Sequence, residues 1–311
     1  MGGSYAIIGD VNCDLGAEAR ERYGVDGYTR GHITLPGGEE VASSLEWDRF
    51  GAREFYASLK SRKSEYKTSP SGAGEIAEYL ETFLKAGRDV LAVSISKKLS
   101  ATYNLMLNAR ELLRERYPER EIHIVDSMKY SAAQGLLILK ACELRDAGLG
   151  IAENAARLTE IRSTIHQMGL MDDLFFVASK GRISHSKAFM GTLVGVKPMG
   201  DFDSDGMVTV LGKAKGYDKA YRAIAAYIVR TIVEPQAQTI LIAQTARETQ
   251  AEALIGHIRD AVRPKGIERT DVYPVSGINV GPGMIAAYYF GTPITDLAFE
   301  RGVMASVLEG A

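Results

Sequence analysis

Short apolar runs rich in β-branched residues alternate with helix-patterned stretches through the first half of this chain, and that rhythm leaves few folds open. Tyr5 to Gly9 (YAIIG) reads as a buried strand closed by the polar turn Asp10-Val11-Asn12-Cys13-Asp14. Residues 72–86 place Ile76, Leu80, Phe83 and Leu84 on one helical face. Asp89 to Ile95 (DVLAVSI) is a second strand, followed by Ser96-Lys97-Lys98-Leu99-Ser100-Ala101-Thr102 and a helix to about residue 115. Glu121 to Val125 (EIHIV) is a third strand, and an apolar helix spans Ser131 to Asp146. Strands without internal alternation, each followed by a helix, predict a parallel sheet covered on both faces.

The second half has another rhythm. Ile151, Ala155, Leu158, Ile161, Ile165 and Met168 mark one amphipathic helix. Strands are expected at 173–178, 193–199, 207–211, 239–243 and 271–275, and helices at 217–232 and 247–262. Gly200 to Met207 (GDFDSDGM) reads as a turn. This pattern predicts a separate α/β domain with a mixed sheet. A length of 311 residues suits two domains, and we place the division between Leu149 and Gly169, as 1–160 and 161–311. No Pro/Gly/Ser linker separates the halves, so close packing around a cleft is expected.

Charge and cysteine usage narrow the function. With 37 basic and 39 acidic residues the net charge is −2, which argues against nucleic acid or an anionic membrane surface as partner. Cys13 and Cys142 are the two cysteines. They form no CxxC, and the expectation is a reducing, cytoplasmic setting. No basic region precedes the apolar residues of Met1 to Asp10, and Ala6 stands where a myristoylation pattern wants Ser or Thr. The apolar stretches are too short for an integral membrane segment. His32, His123, His166, His185 and His257 form no metal-binding spacing. GxSxG and GxxxxGK[ST] are both absent. The expectation is binding with no cofactor, no metal and no covalent chemistry.

In open α/β sheets ligands lie beyond the carboxyl ends of the strands. Here those ends carry Asp10, Asn12 and Cys13, then Ser96, Ser100 and Thr102, then Asp126 and Ser127. A loop, Lys67-Thr68-Ser69-Pro70-Ser71, precedes a helix in the same half. Hydroxyls at helix starts suit an anion, because the first backbone N–H groups are unpaired and the dipole end is positive. The plainer alternative is that Ser71 and Ser100 are N-caps. Gly281-Pro282-Gly283-Met284-Ile285-Ala286 matches the dinucleotide pattern GxGxxA, but it lies too near the end for a complete βαβ unit. A tight turn that lets backbone approach a ligand fits better. The basic runs Lys180–Lys187 and Lys213–Gly216 each have two readings, a phosphate or partner site and a solvated face, of which the solvated face is favoured; for Cys13 a small semi-buried residue is favoured over a reactive thiol.

Nine short motifs, in order, resemble those of DegV-like fatty-acid-binding proteins: GDVNCDL (9–15), EFYASL (54–59), KTSPSGAGE (67–75), SISKKLSATY (94–103), IVDSM (124–128), KGRIS (180–184), VKP (196–198), GKAKG (212–216) and VGPG (280–283). The resemblance implies an α/β/α parallel-sheet domain plus an α/β domain with a mixed sheet. It also implies a long-chain fatty acid buried between the two, its carboxylate held by a Thr and a Ser. Carried onto this chain, these are Thr68 and Ser100. Ser69, Asn12, Thr102, Ser127, Lys215, Asn279 and Gly281 complete the candidate ligand set. Some members present fatty acid to a separate kinase that forms acyl-phosphate, which is the alternative function here. Two positions depart from that pattern: Asn279 stands where kinase-active members have His, and Lys215 where Arg is typical. Ala178-Ser179-Lys180-Gly181-Arg182 also shortens the usual RKGGR run. Lys does not replace Arg where a bidentate contact is needed. A hydrolase using Ser100 or Cys13 is the second alternative, and a nucleotide site at the Gly-Pro-Gly turn the third.

Overall fold

A computed structural model describes residues 5–181 and 195–310. The basic and apolar run from Arg182 to Met190 lies outside them. The chain forms two compact units: Met1–Asp48 with Ser64–Arg162, and Arg49–Lys63 with Ser163–Ala311. A single division at residue 160 therefore misses an excursion, in which residues 49–63 leave the first unit and join the second.

The elements up to Arg162 are β1 (Ala6–Asp10), α1 (Ala17–Tyr23), β2 (Gly27–Thr29), β3 (Gly31–Thr34), β4 (Glu40–Ala42), α2 (Ala52–Arg62, in the second unit), β5 (Lys67–Pro70), α3 (Ala73–Lys85), β6 (Val90–Ser94), α4 (Thr102–Arg114), β7 (Ile122–Asp126), α5 (Ser131–Asp146) and α6 (Ile151–Ile161). In the first unit the order β2-β1-β6-β7 is parallel throughout. One face packs Ala6, Ile8, Val90 and Ala92 against Ile76, Leu80, Met106 and Leu113 of α3 and α4. On α5, the side-chain amide of Gln134 donates to the Val93 carbonyl (3.0 Å). Strands buried on both faces explain the unbroken apolar runs that made them legible. A small antiparallel sheet, β4-β3-β5, was not expected.

The second unit continues with β8 (Ile165–Leu170), α7 (Leu174–Ser179), β9 (Val196–Phe202), β10 (Val208–Lys215), α8 (Tyr217–Thr231), β11 (Thr239–Gln244), α9 (Glu248–Val262), β12 (Gly266–Asp271), α10 (Pro274–Val280), β13 (Ile285–Phe290) and α11 (Ala298–Glu309). Its sheet runs β10-β9-β8-β13-β11-β12 and is mixed, with β11 and β12 its parallel pair. Met168, Met199, Ile242 and Ala287 face Ile224 and Ile228 of α8, Leu254 of α9 and Met304 of α11.

Three expectations are corrected here. The helix read through Met168 stops at Ile161, and Ile165–Leu170 is a strand buried along its whole length. Apolar residues point to both sides of such a strand, so the spacing of Ile165 and Met168 mimics a helix. The strand expected at 173–178 is α7, whose start is capped by Asp173 accepting from the Phe176 N–H (2.9 Å). The strand expected at 271–275 ends at Asp271, and Pro274 opens α10 in the first helical turn, where its missing N–H costs nothing.

Candidate functional site

At the carboxyl ends of β1, β6 and β7 the polar side chains divide by what they touch. Asp10 is buried, and its carboxylate accepts from the backbone N–H of Ile95 (2.7 Å), the backbone N–H of Asn12 (2.9 Å) and the Asn12 side-chain amide (2.8 Å). Burial raises its pKa against the opposing pull of these donors. Asn12 thus helps fix the turn after β1. The Ser127 hydroxyl is fully buried, donates to the Lys129 carbonyl (3.1 Å) and accepts from the Lys129 N–H (3.0 Å). It closes its own turn.

Ser100 and Thr102 behave differently. Their hydroxyl oxygens lie 2.8 Å apart, and the Thr102 N–H donates to Ser100 Oγ (3.3 Å). Thr102 is buried, whereas Ser100 is half-buried. Two hydroxyls that share one hydrogen bond keep one proton for a further acceptor. Neither serine flagged as an N-cap holds that position, which Gly72 takes in α3 and Ala101 in α4.

Thr68 is not in a loop. It sits in β5 opposite Ile33, half-buried, while Ser69 opposite His32 is exposed. Strand alternation sends neighbouring side chains to opposite faces, so Thr68 and Ser69 cannot serve one site in the same way. Burial pushes the Cys13 thiol upward, away from thiolate formation. His32 and His123 of the first unit lie against Glu75 (3.6 Å) and Glu121 (2.8 Å).

In the second unit Lys215 is exposed at the end of β10. The Asn279 side chain donates to the Val275 carbonyl (2.9 Å) within its own helix. Gly281 and Gly283 adopt φ of 76° and 94°. A Cβ on Gly281 would fall 2.4 Å from the Phe176 ring, and one on Gly283 would fall 2.6 Å from Asp172 Cβ. The turn thus admits the protein's own side chains, and it runs from helix to strand, the reverse of a dinucleotide-binding turn. The Gly283 and Met284 N–H groups donate to Thr245 Oγ1 (2.8 and 2.9 Å).

On the sheet of this unit, about 310 Å³ of unfilled space, open solvent included, lies among β8, β9, β10, β13 and α7. Leu170, Leu174, Met199, Val208, Val210 and Met284 supply most of its apolar lining. Gly169 and Gly200 form its floor where strands approach closely: a Cβ on Gly200 would meet the Thr209 carbonyl at 2.3 Å.

The DegV family profile, described as "Uncharacterised protein, DegV family", matches residues 4–292. This chain belongs to the DegV family. A DegV domain-containing protein of Clostridium perfringens is 33% identical over 224 residues, 72% of this chain and 77% of the relative. Another, from Streptococcus pyogenes serotype M1, is 28% identical over 228 residues, 73% and 79% of the two chains. A DegV family structure from Ruminococcus gnavus, refined with vaccenic acid, superposes with a TM-score of 0.80 at 21% identity, covering 91% of this chain and 99% of that one. A stearic-acid-binding protein of Eubacterium ventriosum gives 0.81 at 20% identity, with 93% and 98% covered. The Streptococcus pneumoniae Fatty Acid Kinase B3 protein, loaded with linoleic acid, gives 0.77 at 18% identity, with 93% and 100% covered. These likenesses establish the two-domain DegV fold. Among the described residues no helix is long and apolar enough to cross a membrane.

Proposed function

We propose that this protein binds a long-chain fatty acid in an apolar tunnel, its carboxylate held by the hydroxyls of Thr68 and Ser100, in a cytoplasmic setting and with no covalent chemistry of its own. The observation that carries the reading is the Ser100–Thr102 pair at the carboxyl edge of the parallel sheet. With Thr102 donating to Ser100, the Ser100 hydroxyl is polarised towards an incoming carboxylate. Hydrogen bonds in a chain strengthen one another. A carboxylate removed from water must be hydrogen-bonded, and a bond to a charged group is worth roughly 1.5–3 kcal/mol. Each buried methylene adds about 0.8 kcal/mol, so apolar walls supply what an acyl chain requires. The fatty acids held by the structural relatives support the same reading.

The test is mass spectrometry of lipid extracted from protein purified from cells, with thermal melts of delipidated protein plus and minus oleate. We expect stoichiometric fatty acid and a raised melting temperature. No released lipid together with no oleate-dependent shift overturns the proposal.

A second reading, a substrate-presenting subunit of a fatty acid kinase system, is favoured by the likeness to the pneumococcal kinase B3 protein. Asn279 cannot carry a proton and commits one side-chain N–H to Val275, so weak acyl-phosphate formation is expected. Asn279→His with Lys215→Arg should raise it when a partner kinase is supplied. Full activity of the unaltered chain contradicts that expectation.

A further inference from the structure

The second unit carries a charged cluster that the acyl site does not use. Asp172 follows β8, and its backbone N–H donates to the Gly283 carbonyl (3.1 Å), which ties it to the glycine turn. Three side chains from three other elements converge on its carboxylate. Lys197 Nζ on β9 is 2.7 Å from Oδ1, the Tyr217 hydroxyl at the start of α8 is 2.8 and 2.9 Å from the two oxygens, and the Arg247 guanidinium before α9 pairs with Oδ2. The Lys197 ammonium also lies 4.0 Å from the centroid of the Tyr217 ring.

Two full positive charges thus face one negative charge. The nearby acids are engaged elsewhere. Asp173 accepts from the Phe176 N–H, Glu248 pairs with Arg53 (3.3 Å), and Asp218 pairs with Arg222 and lies 3.8 Å from His257. Across the glycine turn, Lys63 and Lys180 each stand 5.8 Å from the centroid of the Phe176 ring. The surplus charge is neither solvated nor sealed: the side chains of Lys197, Asp172 and Arg247 are 15%, 22% and 29% exposed. Partial desolvation lowers the Arg247 pKa, so the site holds its cation at a cost that a bound anion would offset. Asp172 uses only part of the available donors. An ammonium carries three N–H bonds and a guanidinium five, arranged as a fork that fits an oxyanion.

We propose that Lys197 and Arg247, held in place by Asp172 and Tyr217, form a binding site for a phosphoryl group, carried either by free phosphate or by a phosphorylated ligand. Asp172 and the Tyr217 hydroxyl are positioning groups, since their hydrogen bonds are spent on each other and on the two cations. Among the described residues, Lys197 and Arg247 retain N–H groups for the ligand.

The experiment titrates full-length delipidated protein with inorganic phosphate, with dodecyl phosphate and with dodecanoate, read by calorimetry and phosphorus NMR. Phosphate or dodecyl phosphate should bind the wild type. Arg247→Gln and Lys197→Gln should each weaken that binding about tenfold or more, the scale of one charge-assisted contact, while dodecanoate affinity stays within about twofold. If Arg247→Gln does not fold, Arg247→Lys keeps the charge, loses the fork and should still weaken binding. Dodecyl phosphate binding tighter than phosphate identifies a phosphorylated lipid as the source, and equal affinities identify free phosphate. No binding of either phosphate compound at millimolar concentration overturns the proposal, as does binding that ignores both substitutions. Because dodecanoate is measured separately, failure here is distinguishable from failure of the fatty-acid reading.

Discussion

The Ser100–Thr102 pair at the carboxyl edge of the first unit and the polar core of the second unit are built from similar groups but differ in how fully they satisfy one another. In the second unit His166, Asp201, Tyr227 and Tyr289 are fully buried. His166 Nδ1 lies 2.6 Å from Asp201 and Nε2 lies 2.8 Å from the Thr292 carbonyl, so both ring nitrogens face acceptors. Asp201 also accepts from the Gln167 and Phe202 N–H groups (2.7 Å each) and from the Tyr227 hydroxyl (3.1 Å). Tyr289 stacks on His166 and shares a hydrogen bond with Thr231 (2.7 Å). That network is sealed and saturated, and it staples β8 to β9. In the Ser100–Thr102 pair Thr102 is buried, Ser100 is half-buried, and one hydroxyl proton is to spare. Polar groups that satisfy one another hold a fold; a pair left one bond short at an edge can hold a ligand.

The comparison breaks most visibly at Asp201. Asp201→Ala leaves His166 without its carboxylate and two backbone N–H groups without an acceptor. We expect a loss of about 3–5 kcal/mol in urea melts, the scale of a broken buried ion pair. A loss below about 1 kcal/mol would mean that the network is no staple. Gly281→Ala comes next. The left-handed φ and the approach to Phe176 both oppose a methyl, and about 2–4 kcal/mol should be lost. Wild-type stability in Gly281→Ala would show that the turn relaxes freely.

The smallest effect sharpens the comparison inside the second unit. Both carboxylate oxygens of Glu300 are buried without a hydrogen-bond partner among the described residues. Burial raises its pKa. The folded protein therefore holds this proton to a higher pH than the unfolded chain does. Stability from this group is lost as pH rises above the ordinary carboxyl range. Glu300→Gln should melt higher than wild type at pH 7 and lose that advantage near pH 4. A variant that is less stable at pH 7 would mean the carboxylate is paired in solution.

How far the sequence foretold these features depended on locality. The parallel strands of the first unit were legible because burial on both faces produces runs such as DVLAVSI that end in polar turns. β5 is not legible as a strand, since Lys-Thr-Ser-Pro has turn composition and becomes a strand only by pairing with β3. β12 (GIERTD) is an edge strand with little apolar content, so its boundary was misplaced. The positions of Ser100 and Thr102 followed from the strand-then-helix pattern, but their mutual hydrogen bond did not. Lys197 was visible only as part of a motif, and Arg247 carried no signal. Asp172, which joins them, is distant from Arg247 in the chain, and such convergence is set by tertiary packing.

The proposed fatty-acid site turns on the carboxylate contacts we assign to Thr68 and Ser100. The decisive measurement is calorimetric titration of a long-chain fatty acid into delipidated wild type, Thr68→Ala, Ser100→Ala and the double variant, with urea melts of each lipid-free form. Each single variant should lose roughly tenfold to a hundredfold in affinity while its fold survives, and the double variant should release its lipid on purification. Unchanged affinity in both single variants, or lower stability with full affinity, would show that these hydroxyls serve the fold and that the carboxylate is held elsewhere.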